Sequence, residues 1–205
     1  MKILSLATVF TMLVGLGSFT LPPTGYEVGD YATNFNLKNV DGQMVSLSDY
    51  DDAKGFIVVF TCNECPYAKL YQDRINQLNK DFQDQGFPVI AINPNDPQRS
   101  PADSYENMQA RAEEKKYTFP YLMDETQDIT REYGATNTPH VYVLEKEAKD
   151  KFRVAYIGTI DNNYKDAEKA DKHYIQDAVN ALLSGEEVPT KETKAIGCTI
   201  KWSNA

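Results

Sequence analysis

Apolar positions along this chain change their spacing several times, and each change marks an element. Asn34-Phe35-Asn36-Leu37 and Met44-Val45-Ser46-Leu47 alternate polar and apolar residues around Asp41-Gly42, the composition of a β-hairpin. Gly55-Phe56-Ile57-Val58-Val59-Phe60 is an unbroken apolar run, which predicts a central strand covered on both faces. It leads directly to Cys62. From Pro66 onward Ala68, Tyr71, Ile75, Leu78 and Phe82 recur at helical spacing, predicting an amphipathic helix that stops at Gly86. Proline suits its first turn, where a backbone N–H has no partner to lose. Residues 89–92 predict a second buried strand and Asn93-Pro94-Asn95-Asp96-Pro97 a turn. Ser100-Pro101-Ala102-Asp103 has the pattern of a capped helix start. Val141-Tyr142-Val143-Leu144 and Val154-Ala155-Tyr156-Ile157 predict two further strands, and Tyr174, Ala178, Val179, Leu182 and Leu183 a last helix ended by Gly185. Two strands, then β-α-β-α, then β-β-α imply an α/β fold, a three-layer sandwich around a mixed central sheet.

The 205 residues, 41% hydrophobic and 25% charged, suffice for one domain with its own core and leave no comfortable room for a second. A net charge of −9 with acidic and basic residues interspersed offers no positive face, so no nucleic-acid partner is expected. The start of the chain changes the picture more. Met1-Lys2, the apolar stretch from Ile3 to Leu16 and the small residues around Gly17-Ser18 read as a signal peptide over residues 1–20, which predicts a periplasmic or secreted protein. The apolar stretch, followed by Pro22-Pro23, is too short for a stable membrane span.

Cys62, Cys65 and Cys198 are too few for a disulfide-stapled scaffold, and pairing the first two leaves the third over. Two cysteines three apart where a helix begins suit redox chemistry. The first turn holds both sulfurs within disulfide reach, and its unpaired amides favour a thiolate. That thiolate attacks a disulfide, and the neighbouring thiol displaces the resulting mixed disulfide. A zinc site would need ligands from the scattered Cys198, His140 and His173, so no metal and no other cofactor is expected.

The segment Phe60-Thr61-Cys62-Asn63-Glu64-Cys65-Pro66-Tyr67 resembles the active-site segment of the thioredoxin-like redoxins, the AhpC/TSA and TlpA-like class. Further support comes from Asn93-Pro94-Asn95-Asp96, the stretch 119–126, Tyr133-Gly134-Ala135 and the ending Gly197-Cys198-Thr199-Ile200-Lys201-Trp202. The resemblance implies a thioredoxin-like domain over 26–185 and a tail over 186–205. It also implies catalytic Cys62 and Cys65, and a cis Pro139 that turns Thr138 toward the sulfurs, where a substrate chain pairs as an extra strand. The implied activity is exported thiol–disulfide exchange, with protein thiols and disulfides as substrates and a membrane-bound or soluble thiol as electron donor. Two positions depart from the pattern: Asn137 stands where such proteins often carry cysteine, and the Glu64 carboxylate should disfavour a nearby thiolate. Two other readings use the same residues. Cys65 could attack peroxide, although Val58 and Cys62 replace the proline and threonine of the peroxidase pattern; or the two cysteines with His140 could carry copper. In the tail, Ile196, Cys198, Ile200 and Trp202 alternate with small or polar residues, predicting an ordered segment packed on the domain. Cys198 is then either a small buried residue or a candidate third thiol.

Overall fold

The central strand of the computed structural model, which describes residues 25–203, is the apolar run Gly55–Phe60. The predicted signal peptide lies outside the described residues. In chain order the elements are β1 (Tyr31–Ala32), β2 (Asn36–Asn39), β3 (Met44–Ser46), β4 (Gly55–Phe60), α1 (Pro66–Phe82), β5 (Val89–Asn93) and α2 (Tyr105–Glu114). They continue as β6 (Tyr121–Met123), α3 (Asp128–Tyr133), β7 (Asn137–Thr138), β8 (His140–Ala148), β9 (Lys151–Gly158), α4 (Tyr174–Ser184) and β10 (Cys198–Thr199). Eight strands form one mixed sheet in the order β1-β9-β8-β4-β5-β6-β2-β3, while β7 and β10 pair separately. β4 runs parallel to β5 and antiparallel to β8.

Phe56 through Phe60 are all fully buried because both faces of the sheet are covered. Successive side chains of a strand point to opposite faces. Ile57 and Val59 therefore join Tyr71, Ile75 and Leu78 of α1 and Ile175 and Val179 of α4 in one core layer. Phe56, Val58 and Phe60 join Leu47, Tyr133 and Tyr142 in the other. This gives the three-layer α/β sandwich expected from the sequence pattern. α1 ends at Phe82, and a short 3-10 turn carries the chain to Gly86, whose φ of 93° suits a residue without a Cβ.

The predicted helix start at Ser100 is corrected. Pro101–Asp103 make a single 3-10 turn, and α2 begins only at Tyr105, capped by Ser104, whose Oγ accepts from the Asn107 amide at 3.3 Å. Asp103 caps nothing because it is fully buried, drawn inward beneath the loop that follows β4. The short elements β1, β6, α3, β7 and β10 carry too few residues for a period to show in the sequence.

One register decides where chemistry can occur. Phe60, the last residue of β4, faces His140, the first of β8, so the segment Thr138-Pro139 ahead of β8 lies beside the loop that leaves β4. The Thr138–Pro139 peptide is cis.

The buried face of α1 gives a direct test. Leu78 is 1% exposed and Leu70, on the same helix, 47%. Leu78→Ala should cost about 2–5 kcal/mol in urea unfolding, and Leu70→Ala no more than about 0.5 kcal/mol. Equal losses at the two positions would contradict this packing.

Candidate active site

β4 delivers the chain into Thr61 and Cys62, and Cys65 occupies the N-cap of α1, its carbonyl accepting the Lys69 amide at 2.9 Å. Both cysteines are buried, and they pack with Ala68 of the first turn. Thr138 meets both sulfurs: its Oγ1 is 3.1 Å from Cys62 Sγ and its carbonyl 3.0 Å from Cys65 Sγ. The candidate residues Cys62, Cys65, Thr138 and Pro139 thus come together.

The two sulfurs differ electrostatically. Cys65 is lowered to about 5, first by the hydrogen bond from the Cys62 thiol, against the cost of burial, and then by the Cys198 thiol and the Ala68 and Cys198 amides. The Ala68 amide closes no capping hydrogen bond but still favours the charge. Cys62 moves the other way, raised by its bond to Cys65, by burial and by the Asp103 carboxylate. The Thr138 carbonyl accepts from Cys65 only while that sulfur is protonated, and it opposes the thiolate. The donors around Cys65 outweigh this single acceptor, so the environment favours charge on Cys65 and opposes it on Cys62.

The negative charge that bears on the pair is not the one the sequence suggested. Glu64 is exposed and ion-paired with Lys69 Nζ at 3.3 Å. Asp103 is fully buried and accepts from the Asn63 amide at 2.6 Å, Ser100 Oγ at 2.6 Å and Asn95 Nδ2 at 2.8 Å. Asn63 is further held by its Nδ2 donating to the Ala102 carbonyl at 2.9 Å and its Oδ1 accepting from the Tyr121 hydroxyl at 3.1 Å. The dipeptide between the cysteines is therefore fixed from beneath. Sequence reasoning missed this network; its one visible trace was the concentration of Asn, Ser and Asp after β5, read as a turn and a cap.

The chain's last described residues lie on the same site. β10 pairs antiparallel with β7, Cys198 opposite Thr138 and Thr199 opposite Asn137. The Cys198 amide donates to Cys65 Sγ at 3.3 Å, and Asn137 Nδ2 donates to the Gly197 carbonyl at 3.0 Å. Beyond them Ile200 is buried in the core, and Arg131 stacks over the Trp202 ring at 4.3 Å. Cys62, Cys65, Pro66, Asp103, Cys198 and Lys201 line a small cleft of about 120 Å³. Cys198 is half-buried and its thiol is raised to about 11, by burial and by the neighbouring Cys65.

His140 does not join the cysteines in that cleft. It lines a separate recess of about 680 Å³, its Nδ1 accepts from the Thr136 amide at 3.3 Å, and burial lowers it to about 4. His173 is exposed at the start of α4. Among the described residues no group of three or more His, Cys, Asp or Glu could hold a metal ion.

A thiolate on Cys65 has a spectroscopic consequence. Ultraviolet absorbance of the reduced protein should show one thiolate appearing as pH rises through about 5 and lost again below it. Cys62→Ala removes the largest stabilising donor and should move that midpoint up by about one to two units. A midpoint in the ordinary thiol range for the parent protein would overturn the assignment.

A model described as the AhpC/TSA family matches residues 28–153. Thiol-disulfide oxidoreductase ResA of Geobacillus thermodenitrificans is 27% identical over 134 residues, 65% of this chain and 72% of that protein. The chloroplastic peroxiredoxin Q of Gentiana triflora is 27% identical over 191 residues, 84% of this chain and 78% of that protein. Among solved structures, an uncharacterized conserved protein from Geobacillus kaustophilus matches with a TM-score of 0.80 at 38% identity, over 87% of this chain and 94% of that one. The sheet order, the paired cysteines at the start of α1 and these likenesses agree, and the chain belongs to the AhpC/TSA family of thioredoxin-like redoxins.

Proposed function

We propose that this chain is an exported thiol–disulfide oxidoreductase whose Cys62 and Cys65 alternate between dithiol and disulfide in exchange with protein thiols. One observation carries the reading: two buried cysteines lie together where α1 begins, both sulfurs against Thr138, with a backbone amide donating to Cys65 Sγ and the surroundings lowering Cys65 while raising Cys62. Likeness to proteins named thiol-disulfide oxidoreductase supports it. In the reducing direction the Cys65 thiolate attacks a substrate disulfide. An S–S bond forms to Cys65, and the first substrate thiolate leaves and takes a proton. Cys62 then gives up its proton and attacks Cys65 Sγ. That closes the Cys62–Cys65 disulfide and expels the second substrate thiolate, so two electrons have passed to the substrate. A membrane-bound or soluble dithiol donor reverses the change in the protein. The signal peptide read over residues 1–20 supports a periplasmic or secreted setting; no helix among the described residues is long and apolar enough to cross a membrane.

A second reading, thiol peroxidase, has a specific observation behind it, because a lowered Cys65 at a helix start is the form of thiol that attacks peroxide. It lacks the hydroxyl that orients peroxide in the resembling pattern, since Cys62 stands in the threonine position and Val58 is buried in β4.

Insulin reduction with dithiothreitol as donor tests the first reading. The mature protein should accelerate it, and Cys65→Ser should fall to the rate of dithiothreitol alone. If the Cys62→Ser, Cys65→Ser double variant kept the parent rate, the proposed chemistry would be wrong. Hydrogen peroxide tests the second: the reduced protein should be oxidised at a rate comparable to a free thiol. A rate orders of magnitude higher would make Cys65 peroxidatic.

A further inference from the structure

The position beside Thr138, where the resemblance implies that a substrate strand pairs, is filled by the chain itself. Register, contacts and packing all bear this out. Cys198 lies opposite Thr138 in an antiparallel pair. Gly197 passes so close that a Cβ added there would collide with the Thr138 carbonyl. Asn137 Nδ2 holds the Gly197 carbonyl at 3.0 Å, the Thr136 carbonyl accepts the Ile200 amide at 3.3 Å, and Asn95 Oδ1 accepts the Lys201 amide at 2.9 Å. The side chain so delivered is a cysteine, packed against the Cys62 and Cys65 pair, and its amide donates to Cys65 Sγ at 3.3 Å.

We infer that Cys198 is a third redox thiol, held by its own strand in the place of a substrate cysteine, and that the protein moves its disulfide between Cys62–Cys65 and Cys65–Cys198. The inference rests on the dithiol chemistry proposed above for Cys62 and Cys65. The step is internal and balanced. Cys198 loses a proton and attacks Cys65 Sγ, the Cys65–Cys198 bond forms, and the Cys62–Cys65 bond breaks. Its electron pair stays on Cys62, which takes up a proton, so nothing is oxidised or reduced overall.

Accessibility gives the step a use. Cys62 and Cys65 are 7% and 4% exposed, whereas Cys198 is the half-buried sulfur of the three. An external dithiol can then attack Cys198 Sγ, taking Cys198 into a mixed disulfide. Cys65 departs as the stabilised thiolate, the best leaving group of the trio, and the donor's second thiol releases Cys198 reduced. Cys65 is the central sulfur, exchanged between an inner partner and an outer one.

Oxidation with diamide followed by non-reducing tryptic mass spectrometry tests this. Cleavage after Lys54 and Lys69 isolates residues 55–69 with both Cys62 and Cys65, and cleavage after Lys194 and Lys201 isolates residues 195–201 with Cys198. Oxidised Cys62→Ser protein should yield these two peptides joined, and the Cys65→Ser protein should not. Adding Gly197→Val to Cys62→Ser, which undocks the strand while keeping every remaining thiol, should reduce the joined peptide by about tenfold, the loss of a tethered partner's effective concentration. In a kinetic arm, reduction of the oxidised parent by a bulky protein dithiol should slow by at least about tenfold in Cys198→Ser, while dithiothreitol should discriminate less. Absence of the joined peptide from Cys62→Ser overturns the inference, as does undiminished joining with Gly197→Val or an unchanged protein-dithiol rate. Insulin reduction by the parent protein is read separately: turnover without the joined peptide defeats only the third thiol, and a joined peptide without turnover defeats only the proposed function.

Discussion

The close packing of Cys62 and Cys65 against Thr138 is the interaction on which the rest of this strand end depends. Two thiols buried together are poor nucleophiles if both stay protonated, and two thiolates that close repel each other. One proton between them yields a nucleophile and a resolving thiol from the same pair. The surroundings set which sulfur keeps it. Donors from Cys198 and the first turn of α1 face Cys65, whereas the Asp103 carboxylate bears on Cys62. The asymmetry is therefore built from three parts of the chain, the loop after β4, the turn before α2 and the strand β10. The antiparallel register of β4 with β8 adds Thr138 between the sulfurs.

Burial makes this arrangement demanding. A carboxylate with no exposed surface is tolerated only when its oxygens are satisfied, and Asp103 is satisfied by the same Asn63 amide that forms part of the Cys-x-x-Cys loop. The loop cannot move without exposing or orphaning that charge. Tyr121 and Asn95 extend the constraint to β6 and to the segment after β5. The cysteines are in this way held by polar bonds from below and by the apolar contact with Ala68 at the helix start. Such a frame limits reorganisation during exchange, where small displacements of reacting atoms are costly.

What could be read from the sequence follows the range of the interactions involved. β4 was legible because a strand covered on both faces needs apolar residues at every position, and Phe56 to Phe60 supply them. α1 was legible from its spacing and from Pro66 behind the second cysteine. Asp103 was misread because Ser-Pro-Ala-Asp has the same letters whether the aspartate caps a helix or is buried under a loop 40 residues away in sequence. Glu64 was misread for the opposite reason: adjacency in sequence suggested influence, but an exposed carboxylate ion-paired with Lys69 is screened by water. Alternation of Ile196, Cys198, Ile200 and Trp202 signalled an extended segment, but not its partner. Pairing across some 60 residues depends on β7, which is only two residues long and has no pattern of its own.

The strand β10 places a constraint on how any protein substrate approaches. Unpaired strand edges invite additional strands, and a segment of the same chain occupies such an edge at a high effective concentration. An incoming peptide must therefore either displace residues 197–202 or reach the sulfurs through the cleft of about 120 Å³ beside Lys201. Displacement is expensive at the far end, where Ile200 is buried and Trp202 lies under Arg131, and cheaper ahead of Gly197, where Ile196 is exposed. Fraying would thus begin on the Ile196 side and end at the Ile200 anchor. Cys198 lies between the two. It is close enough to the loose end to swing with it and close enough to the anchor to return, and this suits a sulfur that meets Cys65 on one side and solvent on the other.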